Sequence, residues 1–211
     1  MTNSYITLEK PGTDEITIRK SRFIGSAVPC LSEEQALAHI SAVRAEHKSA
    51  SHCCYAYIIG VNGGITRYTD DGEPGGTAGL PIISLIKSKS IVDCCVTVVR
   101  YFGGILLGTG GLVRAYTEGC RLALDAAGLV RMDRTCHDKC EIEYPRWDTL
   151  RRAVSELPAR TDDISYAASV SFTLLTRSGD RDTVLHALMS ATDGRLTVVP
   201  GDETFEAWPV N

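Results

Sequence analysis

The sequence predicts an α+β protein in two domains, residues 1–133 and 137–211, and three observations lead there. Charge is unevenly shared: residues 1–136 carry 14 basic and 13 acidic side chains, residues 137–211 carry 8 and 13. Glycine is equally uneven, with 12 of the 19 falling between Gly60 and Gly111. The last third reads strand, helix, two strands, helix, strand, which is the order of a ferredoxin-like split βαβ domain.

The elements follow in order. Glu15–Val28 alternates enough for two strands, with Ile16, Ile18, Phe23 and Ile24 as inward candidates. Ser32, followed by Glu33 and Glu34, caps a helix whose apolar stripe is Ala36, Leu37, Ile40 and Val43. Cys53–Val61 is β-prone, Asn62-Gly63-Gly64 marks a turn, and Ile65–Thr69 returns as a strand. Ile91–Tyr101 is a further strand, its β-branched bulk supplied by Val92, Val96, Val98 and Val99. After Gly110-Gly111 a helix places Val113, Tyr116, Cys120, Leu124 and Ala127 on one face. Arg114, Glu118, Arg121 and Asp125 alternate in sign on the opposite face, and Gly128 is the stop. Arg131–His137 reads as a linker. The second domain then runs Lys139–Tyr144 (strand), Arg146–Glu156 (helix), Ile164–Thr176 (two strands turning at Ala167–Ser169), Arg181–Met189 (helix) and Arg195–Val199 (strand, extending toward Phe205).

Composition narrows the function classes. With 44% apolar and 23% charged residues a packed core is available and wholesale disorder is excluded. A net charge of −4 argues against a general polyanion binder but leaves room for a local basic patch. The opening MTNSYITLEKPG lacks the apolar stretch of a signal peptide, and no apolar run reaches the roughly 18 residues of a membrane span. A cytoplasmic protein with no membrane partner is therefore expected. The eight cysteines are then expected as free thiols, with Cys53, Cys54, Cys94 and Cys95 acting as small hydrophobes in β-prone runs. Cys136-His137-x-x-Cys140 resembles part of a metal clip but lacks a second ligand pair, so no metal and no cofactor are expected.

Two glycine-rich segments each run into a helix: Thr69–Pro81, containing Gly75, Gly76 and Thr77, and Arg100–Tyr116, containing Gly103, Gly104, Gly108, Gly110 and Gly111. A helix entrance exposes unpaired N–H groups and partial positive charge, and glycine lets a ligand approach them. Arg100 and Arg114 flank the second segment and are able to grip an anion. The competing reading is tight turns and close packing. Neither segment is a P-loop, because Thr109-Gly110 stands where Lys-Ser/Thr is required, and Val113 replaces the last glycine of GxGxxG. Asp70, Asp71 and Glu73 form a dense carboxylate group, read either as acid–base or metal chemistry or as turn formation and helix-end complementarity. His52 beside Cys53 makes a poor nucleophile pair, since adjacent strand residues face opposite ways. Lys20-Ser21-Arg22-Phe23 joins two cations to an aromatic and is a candidate phosphate contact.

Four motifs carry a family resemblance: Lys20-Ser21-Arg22-Phe23-Ile24, His52-x-Cys54-Tyr55-Ala56, Asp71-Gly72-Glu73-Pro74-x-Gly76-Thr77-Ala78-Gly79-x-Pro81, and Val99-Arg100-Tyr101-Phe102-Gly103-Gly104-x-x-Leu107-Gly108-x-Gly110-Gly111-Leu112-x-Arg114-Ala115-Tyr116. They resemble the YigZ/Impact family. The resemblance implies a first domain, an α/β sandwich, like the second domain of a small-subunit ribosomal protein and domain IV of elongation factor G. It implies a second domain like domain V of that factor. Eukaryotic Impact proteins are regulators of translation initiation that compete for the activator of the general-control kinase, and the family supplies no catalytic residues to carry over. The two glycine-rich helix entrances, with Arg100 and Arg114 supplying charge and the motif positions as the suspected surface, lead to the expectation of a non-catalytic binding protein involved in regulation of translation and contacting RNA, the ribosome or a translation-associated protein, through Lys20, Arg22, Asp71, Glu73, Gly75, Gly76, Thr77, Arg100, Gly103, Gly104, Gly108, Gly110, Gly111 and Arg114. The alternative is a hydrolase or phosphate-handling enzyme using Asp71 and Glu73 on a small anionic substrate.

Overall fold

A strand buried on one face alternates polar and apolar residues, whereas one covered on both faces reads as a continuous apolar run. Cys94–Val99 is close to such a run, with Thr97 its one polar residue, and all of it is buried. In the computed structural model, which describes residues 3–208, it is the central strand of a sheet with helices on both faces. The chain divides into two compact units, Ser4–Arg131 and Met132–Trp208. The ends of the expected domains, residues 1–2 and 209–211, lie outside the described residues.

The first unit contains β1 (Ser4–Leu8), β2 (Gly12–Ile18), β3 (Ser21–Pro29), α1 (Glu33–Glu46), β4 (His52–Ile59), β5 (Ile65–Thr69), α2 (Gly79–Ser88), β6 (Cys94–Tyr101) and α3 (Thr109–Ala127). Its five-stranded antiparallel sheet has the order β2-β3-β6-β4-β5. One face, with Cys54, Ala56, Ile58, Val96 and Val98, packs under α2 and α3 through Ile82, Ile86, Tyr116, Cys120 and Leu124. On the other face, Tyr57, Ile59 and Cys95 meet Ala36 and Ile40 of α1. Ser32 caps α1 as expected, its hydroxyl accepting from the Gln35 N–H at 3.2 Å. Leu37 and Val113, expected on apolar stripes, are exposed instead.

The contact between α3 and the sheet is very close. A Cβ placed at Gly25 of β3 would sit 2.1 Å from the Gly119 carbonyl oxygen, and one at Gly119 would meet Val98 at 3.0 Å. Glycine is required there because two backbones touch.

The second unit contains β7 (Leu129–Ile142, entering from the first), α4 (Tyr144–Ser155), β8 (Ala159–Tyr166), β9 (Val170–Arg177), α5 (Arg181–Ala191), β10 (Thr197–Val199) and β11 (Glu203–Trp208). Its antiparallel order β10-β7-β9-β8, with β11 also paired to β7, is the ferredoxin-like arrangement. Trp147, Leu150, Phe172, Leu174, Val184 and Leu188 form its core. Two expectations need correction. Arg131–His137 is not a linker but part of β7. Its inward carboxylates hid the strand signal: Asp133 is buried and accepts from Arg177 Nε at 3.0 Å, and Asp138 accepts from Arg181 Nε at 2.8 Å. The last expected strand is two, interrupted at Pro200-Gly201.

All eight cysteines are free and buried. Burial pushes the Cys30 thiol up to about 11 and those of Cys54, Cys94 and Cys140 up to about 12. Since the thiolate is the reactive species, native protein at pH 8 is expected to react with an aromatic disulfide reagent at least ~10-fold slower than the same protein in guanidinium. Fast stoichiometric labelling of the native state would contradict the packing described.

Candidate functional site

The carboxylate group after β5 separates into three destinations. Asp70 turns back onto the entrance of α2, where its oxygens accept from the N–H groups of Gly76, Ala78 and Gly79 at 2.8, 3.0 and 2.8 Å. Burial alone would raise the Asp70 pKa, but these three amides outweigh it and hold the group below its ordinary value. Gly75, Gly76 and Thr77 therefore belong to a closed turn, with the Thr77 hydroxyl donating to the Pro74 carbonyl at 2.7 Å. This corrects the expectation of an open anion cradle at α2: the chain supplies its own anion.

Asp71 faces elsewhere. Its carboxylate accepts from Arg44 Nη2 at 2.8 Å and from the Cys53 N–H at 2.7 Å, while its carbonyl lies 2.8 Å from His52 Nδ1. Glu73, the third carboxylate, points into the interior. Its Oε1 accepts from Arg100 Nη1 and from the Tyr116 hydroxyl, both at 2.7 Å, with His52 Nε2 at 3.8 Å. Burial, then the neighbouring Cys54 and Glu73, push the Tyr116 phenol far up, so it serves as a donor.

Strand register explains why these residues meet. Phe23 of β3, Arg100 of β6 and His52 of β4 are direct cross-strand partners in one row. The row continues the face that carries Cys54, Ala56, Val96 and Val98 toward α3. The Arg100 guanidinium lies 5.4 Å from the Phe23 ring centre and 5.3 Å from that of Phe102, and Nη2 donates to Ser21 Oγ at 3.3 Å. Arg100 Nε is buried and has no hydrogen-bond partner. Arg100 is thus an internal partner of Glu73, not the exposed anion clamp that the sequence suggested. A cavity of about 370 Å³ opens on this row, lined by His52, Glu73, Pro74, Arg100 and Phe102 and, where the chain leads into α3, by Leu106, Leu107, Gly108, Thr109 and Leu112.

A second cavity, of about 590 Å³, lies on the other side of the α3 entrance and is lined by Ile18, Arg19, Leu107, Gly111, Val113, Arg114, Thr117 and Glu118. No side chain caps α3, whose N-cap is Gly108. Arg19 and Lys20 form the two-residue turn between β2 and β3, both at positive φ (45° and 67°). Such a turn normally selects Asn-Gly, and holding a non-glycine residue there costs about 1–3 kcal/mol. The Lys20 backbone abuts Gly103 so tightly that a Cβ there would sit 2.0 Å from its carbonyl carbon. Gly104 is exposed in the same loop, and Gly110 is exposed in the first turn of α3. Arg22 is drawn away, its Nε donating to Glu15 Oε2 at 3.0 Å.

The sequence-predicted residues therefore split. Glu73, Arg100 and Gly108 meet at the smaller cavity, and Gly111 and Arg114 at the larger, with Lys20 in the turn beside it. Asp71, Arg22, Gly75, Gly76 and Thr77 line neither. No sequence pattern marks Arg19, and His52 read beside Cys53 alone shows only a poor pairing geometry. The signal for His52 was its place at the head of the series Cys54, Ala56, Ile58 on the helix-covered face. Among the described residues no three His, Cys, Asp or Glu side chains gather as a metal-ligand set, and no helix is long and apolar enough to cross a membrane.

Comparison with known proteins places both units. The model of the Impact N-terminal domain matches residues 19–124, which hold both cavities' charged groups, and that of a domain of unknown function, DUF1949, matches residues 140–195. The IMPACT family member YvyE of Bacillus subtilis is 33% identical over a 213-residue alignment, covering 100% of this chain and 97% of that protein. An IMPACT family member of Thermus thermophilus is 36% identical over 182 residues, 86% of this chain and 98% of that protein. The Protein IMPACT homolog of Saccharomyces cerevisiae is 34% identical over 99 residues, 46% of this chain and 38% of its own length. A crystal structure of a hypothetical protein shares the fold at TM-score 0.61 and 30% identity, covering 96% of this chain and 99% of that one. Fold and matches together define a two-domain α+β protein that joins an Impact domain to a DUF1949 domain. The chain belongs to the IMPACT family.

Proposed function

We propose that this chain is a binding protein acting in the regulation of translation, and that its first unit contacts RNA phosphates through the Arg19-Lys20 turn, Arg114 and the entrance of α3. The reading is supported by kinship with the IMPACT proteins. The observation that carries it is the turn itself: two cations occupy positions where Asn-Gly would be unstrained. Strain kept in the backbone of a surface turn points to use of the side chains held there. Arg19 and Arg114 then face one cavity beside uncapped helix amides, a geometry suited to a phosphate group.

The test exploits the strain. Replacing Arg19 by Asn and Lys20 by Gly should raise stability by about 1 kcal/mol, since the turn relaxes. The same variant should weaken binding to ribosomes or a structured RNA hairpin at least ~10-fold and lower the slope of log affinity against log salt by about 1–2. Arg114→Ala should act in the same direction. Wild-type protein with no salt-sensitive RNA association, or a relaxed-turn variant that binds as tightly as wild type, would refute the reading.

A further inference from the structure

We propose that the smaller cavity, on the Phe23–Arg100–His52 row, is a hydrolytic site for small carboxylic esters in which His52 and Glu73 activate a water. The site is distinct from the cationic turn and does not depend on RNA binding.

A carbonyl only accepts, so the 2.8 Å contact of His52 Nδ1 with the Asp71 carbonyl places the ring proton on Nδ1. Nε2 of the neutral ring then carries a lone pair on the Glu73 side, 3.8 Å from Oε1, too far for a direct bond. Glu73 Oε1 already accepts from Arg100 and Tyr116, while no described group donates to Oε2. Two acceptors thus line one cavity without donors, and the occupant they suit is a group with two hydrogens to give. Water is that group, and once it donates both hydrogens its lone pairs are free for an electrophile. An ammonium ion would meet the Arg100 charge and the positive end of α3.

The remaining walls choose the electrophile. A phosphate dianion would lie against Glu73, whose counter-ion is already engaged. Pro74, Phe102, Leu106, Leu107 and Leu112 instead offer an apolar surface for a neutral acyl group. Donors for a developing oxyanion are present where the uncapped first turn of α3 opens on the cavity at Gly108-Thr109. In the reaction the water oxygen bonds to the acyl carbon as its proton passes to His52 Nε2, and the carbonyl electron pair moves onto oxygen. Collapse breaks the bond to the alkoxy oxygen, which takes the proton back from Nε2, leaving a carboxylic acid and an alcohol.

The experiment uses the full chain with p-nitrophenyl acetate and p-nitrophenyl butyrate. Saturable hydrolysis over several turnovers per chain is expected, and His52→Gln should lower kcat/KM at least ~100-fold without shifting the melting temperature. Lys139→Ala, in the second unit, should hydrolyse as wild type does. Should His52→Gln melt early, Leu106→Trp supplies the second arm. Leu106 is 82% exposed at the cavity wall, so the fold tolerates the change while the filled cavity should lower kcat/KM for the butyrate at least ~10-fold. Wild-type turnover no faster than buffer with both esters, an undiminished rate in a well-folded His52→Gln, or an undiminished rate in Leu106→Trp would each overturn the proposal.

Discussion

Arg100→Ala is expected to be among the most damaging single changes in this protein, costing about 3–5 kcal/mol. The Arg100 and Glu73 side chains are only 6% and 3% exposed, so removing the guanidinium strands a buried carboxylate. The Phe23 and Phe102 rings also lose the cation that lies over each of them. For a chain of this size the melting temperature should fall by roughly 10–15 °C. Calorimetry measures this directly, and the double variant Arg100→Met with Glu73→Gln should recover much of the loss, because neither partner then carries an uncompensated charge. A single variant that melts within about 2 °C of wild type would show that the pair is not the internal brace described. Any binding or activity lost in Arg100→Ala has to be read against this effect.

Asp70→Ala is expected to cost about 2–4 kcal/mol at pH 7, because three amides at the entrance of α2 lose their acceptor together. The pH dependence follows from the direction of the shift. A carboxyl held below its ordinary 3.8 favours the native state fully above that value. The contribution is lost as pH falls through the lowered native value. The stability gap between wild type and Asp70→Ala should therefore be flat from pH 5 to 8 and close below about pH 3.8. Urea titrations at several pH values would measure it, and a gap that persists unchanged at the acid end would assign the loss to packing instead.

The architecture was largely legible in the residues. The helix after Gly110-Gly111 announced itself through Tyr116, Cys120, Leu124 and Ala127, and the ferredoxin-like order of the second unit was readable from its alternating periods. The start of β7 was not, because Asp133 and Asp138 point inward, and only their distant arginines make that burial tolerable. The same limit governed the site. Sequence shows that Asp70, Asp71 and Glu73 are neighbours. It does not show that the positive φ of 44° at Asp71 sends one carboxylate to a helix, one to Arg44 and one inside. Helix entrances raise the same difficulty, since composition cannot reveal that Asp70 fills one of them while Gly108 leaves the other uncapped. His52 and Arg100 are 48 positions apart in the chain and adjacent across the sheet. That adjacency is a property of register, which no local pattern encodes.

The abutment of Gly25 on Gly119 acts at a distance. Gly119 lies eight positions beyond Gly111, about 12 Å along the helix axis at 1.5 Å per residue. A methyl group introduced at either glycine would push the helix off the sheet there and swing its far end like a lever about the remaining contacts. Both hollows share that helix as a wall, so their widths are calibrated by a point that neither of them includes. Relatives with different dimensions in these hollows are therefore best compared first at this glycine pair, where a single carbon atom sets the spacing.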